Sequence, residues 1–209
     1  MRKVDRSYHM LTTFIFDIGN VLADFGWKEY FESFHFPKEI LPRIAKATVL
    51  SPTWNDFDRG AKTDEELINS FIKNDPELEP QIRQLCENVH DMITKRDYAI
   101  PWILELKQKG YRVLYLSNFS RKAEIECQDA IDFIPYMDGG ILSYQEKLVK
   151  PEPEIYKRLI ERYDLIPEEC VFLDDRMDNC EAAAKFGMKT ICFTTQEAAI
   201  EELKKYHIY

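Results

Sequence analysis

The apolar run Phe14-Ile15-Phe16 ends in Asp17, and the pattern returns where Val171-Phe172-Leu173 runs into Asp174-Asp175. A short, unbroken apolar run bounded by polar residues fits a strand buried on both faces. From about residue 96 onward such runs alternate with amphipathic stretches, which predicts parallel strands joined by right-handed helical crossovers. The expected class is therefore α/β, a parallel sheet with helices on both faces. In such sheets ligands bind outside the carboxyl ends of the strands. Three acidic side chains on two strand tips mark where chemistry belongs.

The stretch Ile100 to Lys109 reads as a helix with Trp102, Ile103 and Leu106 on one stripe and Gly110 ending it. Arg112 to Leu116 is an expected strand closing on Ser117-Asn118, followed by a helix over 120–130 and a strand over Gly139 to Leu142. Pro153 to Tyr163 reads as a helix with Ile155, Leu159 and Ile160 inward. After the strand Val171 to Leu173 come a helix from Asn179 to Phe186 stopped by Gly187, and a strand from Thr190 to Phe193. A terminal helix is expected over 196–206.

Residues 26–95 break this rhythm. They hold no convincing strand and read as helices interrupted by Pro37, Pro42, Pro52, Pro76 and Pro80. Thr63 and Glu66 have the spacing of a capping box opening the helix Leu67 to Ile72. A helical block inserted after the first strand would lie over the strand tips. The expected division is a catalytic core of 11–25 and 96–209 with a helical cap of 26–95.

The chain has 209 residues, enough for one full core and a sizeable insertion, and 45% of them are hydrophobic. A net charge of −9 argues against nucleic acid as partner, since phosphate backbones select basic surfaces. No apolar stretch reaches the about 18 residues of a membrane span. The five cysteines, Cys86, Cys127, Cys170, Cys180 and Cys192, are odd in number and not in CxxC spacing. Reduced thiols in a cytoplasmic protein are expected, with Cys170 and Cys192 in the core. Met1 to Met10 lacks an apolar segment and reads as an exposed leader rather than a signal peptide.

Four features fall at strand ends or just before a helix, on one expected edge of the sheet: Asp17, Ser117-Asn118, Lys150 and Asp174-Asp175. Each alone also reads as an ordinary turn, cap or loop residue. Together they make a phosphoryl-transfer site. Asp17 can attack phosphorus and form an aspartyl-phosphate. Magnesium held by Asp17, Asp175 and the backbone carbonyl of Gly19 would screen the charge between two anions. Ser117 and a backbone N–H beside it, at Asn118, can bind phosphate oxygens, and Lys150 can neutralise charge in the transition state.

The order Asp17-Ile18-Gly19-Asn20-Val21, Leu116-Ser117-Asn118, Lys150-Pro151-Glu152-Pro153 and Phe172-Leu173-Asp174-Asp175 resembles the four motifs of the haloacid dehalogenase superfamily. The helical insert is similar to the C1 cap of its phosphatase-like branch, and Asp58-Arg59-Gly60 looks like a recurring cap element of that group. The resemblance implies a Rossmann-like core and a small phosphate ester as substrate, a sugar phosphate among the candidates. Phosphatases carrying Asp-x-Gly-Asn, such as α-D-glucose-1-phosphatases, are closest in appearance. It also implies Asp17 as nucleophile, Ser117 as phosphate ligand, Lys150 as charge stabiliser and Asp175 as direct magnesium ligand. Asp174 would reach the ion directly or through water, with Asn118 and Asn179 in support.

Relatives in that superfamily usually carry a second Asp two residues after the nucleophile, where this chain has Gly19. Glycine retains the carbonyl ligand but moves no proton, and general acid–base catalysis is worth about 10²–10⁴-fold. Either the substrates leave easily, as sugar 1-phosphates or acyl phosphates do, or a cap residue such as His35, His90, Asp58 or Lys62 supplies the proton. Asp24 is a further carboxylate nearby, expected to be structural. A catalytically weak binding or regulatory protein and a metal-free 2-haloacid dehalogenase are the alternatives. Trp27, Trp54 and Arg59 are candidate substrate contacts, and oligomeric state is left open.

Overall fold

The computed structural model describes residues 10–209, so the expected leader lies outside the described residues except for Met10, which is exposed. The chain opens with β1 (Thr13–Phe16) and β2 (Ala23–Phe25), then five helices. These are α1 (Trp27–Ser33), α2 (Leu41–Ala47), α3 (Trp54–Arg59), α4 (Asp64–Asn74) and α5 (Glu79–Glu87). There follow β3 (Ile93–Lys95), α6 (Ala99–Gln108), β4 (Arg112–Ser117), α7 (Arg121–Glu126), β5 (Gly140–Leu142) and α8 (Ser143–Glu146). The last elements are α9 (Pro153–Tyr163), β6 (Cys170–Asp174), α10 (Met177–Ala184), β7 (Lys189–Cys192) and α11 (Gln196–Lys204).

Five strands form one parallel sheet in the order β5-β4-β1-β6-β7. Side chains alternate across β1, so its two faces need separate cores. Phe14 and Phe16 pack on one face, where Phe16 meets Trp102 at 4.9 Å between ring centroids. Ile15 packs on the other with Leu114, Tyr156 and Phe172. Helices cover both faces, as expected for buried parallel strands. Trp102, Ile103 and Leu106 on α6 are buried, as their stripe predicts.

Register places the chemistry. Phe16 pairs with Leu173 of β6 and with Tyr115 of β4, so Asp17 and Asp174 emerge side by side at the carboxyl ends, with Ser117 one residue further along β4.

The helical insert has its own apolar centre, including Phe31, Ile44, Leu67, Phe71 and Ile82, continuous with the core. The capping box at α4 is formed, with the Thr63 N–H donating to Glu66 Oε2 at 2.9 Å and the Glu66 N–H to Thr63 Oγ1 at 3.3 Å. The insert is not wholly helical. β2 and β3 pair antiparallel, Ala23 with Lys95 and Phe25 with Ile93, so the chain leaves for the insert and returns through one ribbon. Three-residue strands are too short to show a periodic pattern. An ion pair from Arg96 to Asp24, at 2.6 Å, ties this ribbon together.

Two smaller expectations fail. The helix expected over 120–130 stops after Glu126, where the buried Cys127 leaves helical geometry and its thiol donates to the Val89 carbonyl. Cys192 is exposed because β7 is an edge strand, whereas Cys170 is buried in β6. All five cysteines are free, and no described helix is long and apolar enough to cross a membrane.

Gly140 leaves no room for a side chain, since a Cβ there would lie 2.3 Å from the Tyr115 carbonyl oxygen. Gly140→Ala is expected to destabilise the fold by at least about 1–3 kcal/mol, the usual cost of overpacking. A lower urea midpoint at unchanged slope would show it.

Candidate active site

Asp17 follows the last residue of β1 and is buried, with its backbone N–H held by the Leu173 carbonyl at 2.8 Å. That bond between neighbouring strand tips fixes the direction in which the side chain leaves the sheet. Asp17 Oδ1 accepts from the Ile18 N–H at 2.8 Å and lies 2.9 Å from Lys150 Nζ. Lys150 Nζ also donates to Asp174 Oδ2 at 2.6 Å. One fully buried ammonium thus bridges the tips of β1 and β6.

Lys150 sits in a loop, so its position has to be imposed. Asn118 does this from the tip of β4: its Oδ1 accepts from the Lys150 N–H at 2.7 Å and its Nδ2 donates to the Lys150 carbonyl at 3.0 Å. Asp174 is held as firmly. Asn179 Nδ2 donates to both of its oxygens, at 2.9 and 3.1 Å, and the Arg176 N–H donates to Oδ1 at 2.9 Å. Asp175 is more open, and its Oδ2 accepts from Asn20 Nδ2 at 2.8 Å. Asn20 adopts a positive φ of 56°, which Asn tolerates better than most residues, and its Oδ1 accepts from the Phe25 N–H.

Burial raises the Asp17 carboxyl well above the usual range, and the charge of Asp174 adds to this while Lys150 and Ser117 oppose it. Burial alone would lower Lys150, but Asp17 and Asp174 outweigh it and keep the ammonium charged. Asp17, Asp174 and Asp175 each bring one carboxylate oxygen within 4.8 Å of the others. Three carboxylates against one ammonium leave two negative charges unbalanced, a deficit that a divalent cation would remove. The donors are hard oxygens suited to magnesium, and Gly19 lines the same cavity. Asp174 already accepts four hydrogen bonds, so Asp17 and Asp175 are the freer ligands. The buried Asn179 Oδ1 lacks a partner among the described residues and could accept from water carried by such an ion.

A cavity of about 620 Å³ opens above the tips. The core lines it with Asp17, Gly19, Ser117, Asn118, Lys150 and Asp175, and the insert with Leu50, Trp54, Asn55, Phe57 and Asp58. Asp17, Gly19, Ser117, Asn118, Lys150 and Asp175 thus share one cavity wall, and Asp174 lies fully buried behind it, joined through Lys150. The candidate substrate contacts divide differently. Trp54 lines the cavity, but Trp27 packs against Phe31 and Lys28 away from it. Arg59 is committed to Glu152, with its Nη1 2.9 Å from Oε2, and is not free for substrate. Asp24 faces Arg96 in the ribbon, outside the cavity lining. Sequence reasoning missed the orienting role of Asn20. Its signal was present, because Asn directly after Gly19 favours a left-handed turn.

The model of the haloacid dehalogenase-like hydrolases matches residues 11–187. A sesquiterpene phosphatase of Aspergillus oryzae is 24% identical, covering 94% of this chain and 98% of its own. The bifunctional epoxide hydrolase 2 of Rattus norvegicus is 36% identical over 104 residues, covering 48% of this chain. The chain spans about a fifth of the length of the first curated relatives it matches (19% in each case). Among solved structures, a Bacteroides thetaiotaomicron enzyme of the same family, in complex with magnesium and inorganic phosphate, superposes with a TM-score of 0.68. It is 24% identical and covers 89% of this chain and 96% of its own. Dehalogenases share the fold as well.

Removing one partner of a buried ion cluster strands the others. Lys150→Met is expected to cost about 3–5 kcal/mol in urea unfolding. Asn118→Ala removes only hydrogen bonds to the Lys150 backbone and is expected to cost about 1–3 kcal/mol.

Proposed function

The chain belongs to the haloacid dehalogenase-like hydrolases, and from that premise we propose that it is a magnesium-dependent phosphatase of small phosphate esters. The observation that carries this reading is the buried Asp17–Lys150–Asp174 cluster with Asp175 beside it at the floor of an open cavity. A nucleophilic carboxylate, a fixed cation and a set of hard oxygen ligands are the parts that phosphoryl transfer needs.

In this reading Asp17 attacks phosphorus and carries the phosphoryl group as an aspartyl-phosphate until water releases it. Lys150, pinned between Asp17 and Asp174, stays charged and meets the negative charge that builds on the phosphoryl oxygens. The Ser117 hydroxyl and the Asn118 N–H at the tip of β4 bind those oxygens and set the angle of attack. Magnesium would be held by Asp17, Asp175 and the Gly19 carbonyl, with Asp174 directly or through water, and supplies charge screening between the two anions when bound. The insert closes the cavity against bulk water and contacts the organic part of the substrate. Trp54 and Phe57 offer that part apolar contact, while Asn55 and Asp58 offer polar contact. A sugar phosphate is one class that fits such a mixed wall.

Gly19 gives a second reading its one specific support, that of a phosphate-binding regulatory protein without turnover. With magnesium, the protein is expected to hydrolyse an activated ester such as p-nitrophenyl phosphate, and EDTA should abolish the activity. Asp17→Asn should lower kcat by about 10³-fold or more. Wild-type protein that binds phosphate and magnesium by calorimetry yet turns over no activated ester would establish the regulatory reading instead. Halide release from a 2-haloacid without metal would establish a dehalogenase.

A further inference from the structure

The nucleophile loop carries no proton donor, and the structure separates the four cap residues that could replace one. His90 is exposed with its ring against Asp91 at 2.9 Å, and Lys62 is exposed against Asp56 at 2.7 Å. His35 is exposed too, and none of these three lines the cavity. Asp58 differs from them in every respect. It is 9% exposed, lines the cavity that holds Asp17 and Gly19, and its carboxylate has no hydrogen bond or ion pair among the described residues.

Its backbone is fixed to the core. The Ser143 hydroxyl donates to the Asp58 carbonyl at 2.6 Å, and Ser143 Oγ in turn accepts from the Phe119 N–H at 2.9 Å. The next residue, Arg59, holds Glu152 and donates to the Lys147 carbonyl at 3.1 Å. The Gly60 carbonyl accepts from Lys147 Nζ. Gly60 itself has φ +60°, and a Cβ there would lie 2.8 Å from the Tyr144 Cβ. Three successive residues of the insert are thus docked on segment 143–152, the one that carries Lys150. This docking sets Asp58 over the site without help from a substrate.

We propose that Asp58 is the acid–base residue of the site, doing from the insert what the residue at position 19 cannot. The inference rests on the phosphatase reading above. As Asp17 attacks, the bond from phosphorus to the leaving oxygen breaks with its electron pair, and the Asp58 carboxyl gives that oxygen its proton. Water then attacks phosphorus and passes one proton to the Asp58 carboxylate, while the phosphorus bond to Asp17 breaks and returns its electrons to the carboxylate. Free phosphate leaves and Asp58 is again protonated. Burial of an unpartnered carboxyl favours the protonated form the first step requires. It pushes Asp58 up to about 7, with the charge of Asp17 adding to the effect and Lys150 opposing it.

The test compares p-nitrophenyl phosphate with benzyl phosphate, which are similar in size but differ widely in the basicity of the leaving oxygen. Here kcat/KM covers only the steps up to alcohol release, so a slow second step does not mask the result. With magnesium and the full chain, Asp58→Asn should lower kcat/KM for benzyl phosphate by about 10²–10⁴-fold. It should change the value for p-nitrophenyl phosphate far less. Loss in equal proportion on both esters, or on neither, overturns the assignment and leaves the phosphatase reading intact. Wild-type turnover of neither ester overturns both. A melting curve confirms that the variant folds. The wild type gives a measure free of variants: kcat/KM should vary little with leaving-group basicity across substituted phenyl and benzyl phosphates, and a steep fall would overturn the proposal.

Discussion

The contact of Lys150 with both Asp17 and Asp174 is the interaction on which the other features of the site depend. Three buried charges cannot be left loose, because removing ions from water is repaid only when geometry and hydrogen bonding are complete. Asn118 fixes the lysine backbone, and Asn179 with the Arg176 N–H satisfies Asp174. Asn118 follows β4 and Asp17 follows β1, while Asp174 ends β6 and is satisfied by Arg176 and Asn179 just beyond it. The cluster therefore requires β4, β1 and β6 to be neighbours in that order. Fold and site are specified by the same demand.

The doubly covered sheet was legible because burial on both faces leaves apolar runs, and Phe14–Phe16 and Val171–Leu173 have them. The site residues were legible as a set only because Asp17, Ser117, Lys150 and Asp175 occur at the ends of predicted elements. What stayed hidden was short or distant. The ribbon of β2 and β3 has three residues per strand and pairs positions some seventy apart in the chain. Arg59 looked like a substrate anchor because nothing in its surroundings in the chain reveals Glu152, which stands 93 residues further along the sequence. Cys192 looked like core because an apolar run does not say whether its strand lies at an edge.

Gly19 and Asn20 divide what one longer side chain would otherwise do. A Cβ at Gly19 would meet nothing within 4 Å, so sterics do not require glycine there. Space is kept open beside Asp17 instead. Asn20, turned left-handed by its own backbone, uses its amide to steady Asp175 and to hold the start of the ribbon. Under the proposed mechanism the loop after β1 serves attack and ligand placement, and proton handling falls to Asp58.

The insert meets the core along a broad front: the β2–β3 ribbon, the docking of residues 58–60 on segment 143–152, and α7, whose Glu126 and Lys122 hold the backbone at Val89 and Glu87. A body tied at three separated places keeps no free axis to turn about. The spacing between the Asp17 and Asp58 carboxyl groups is then a property of the fold and does not depend on what enters the cavity.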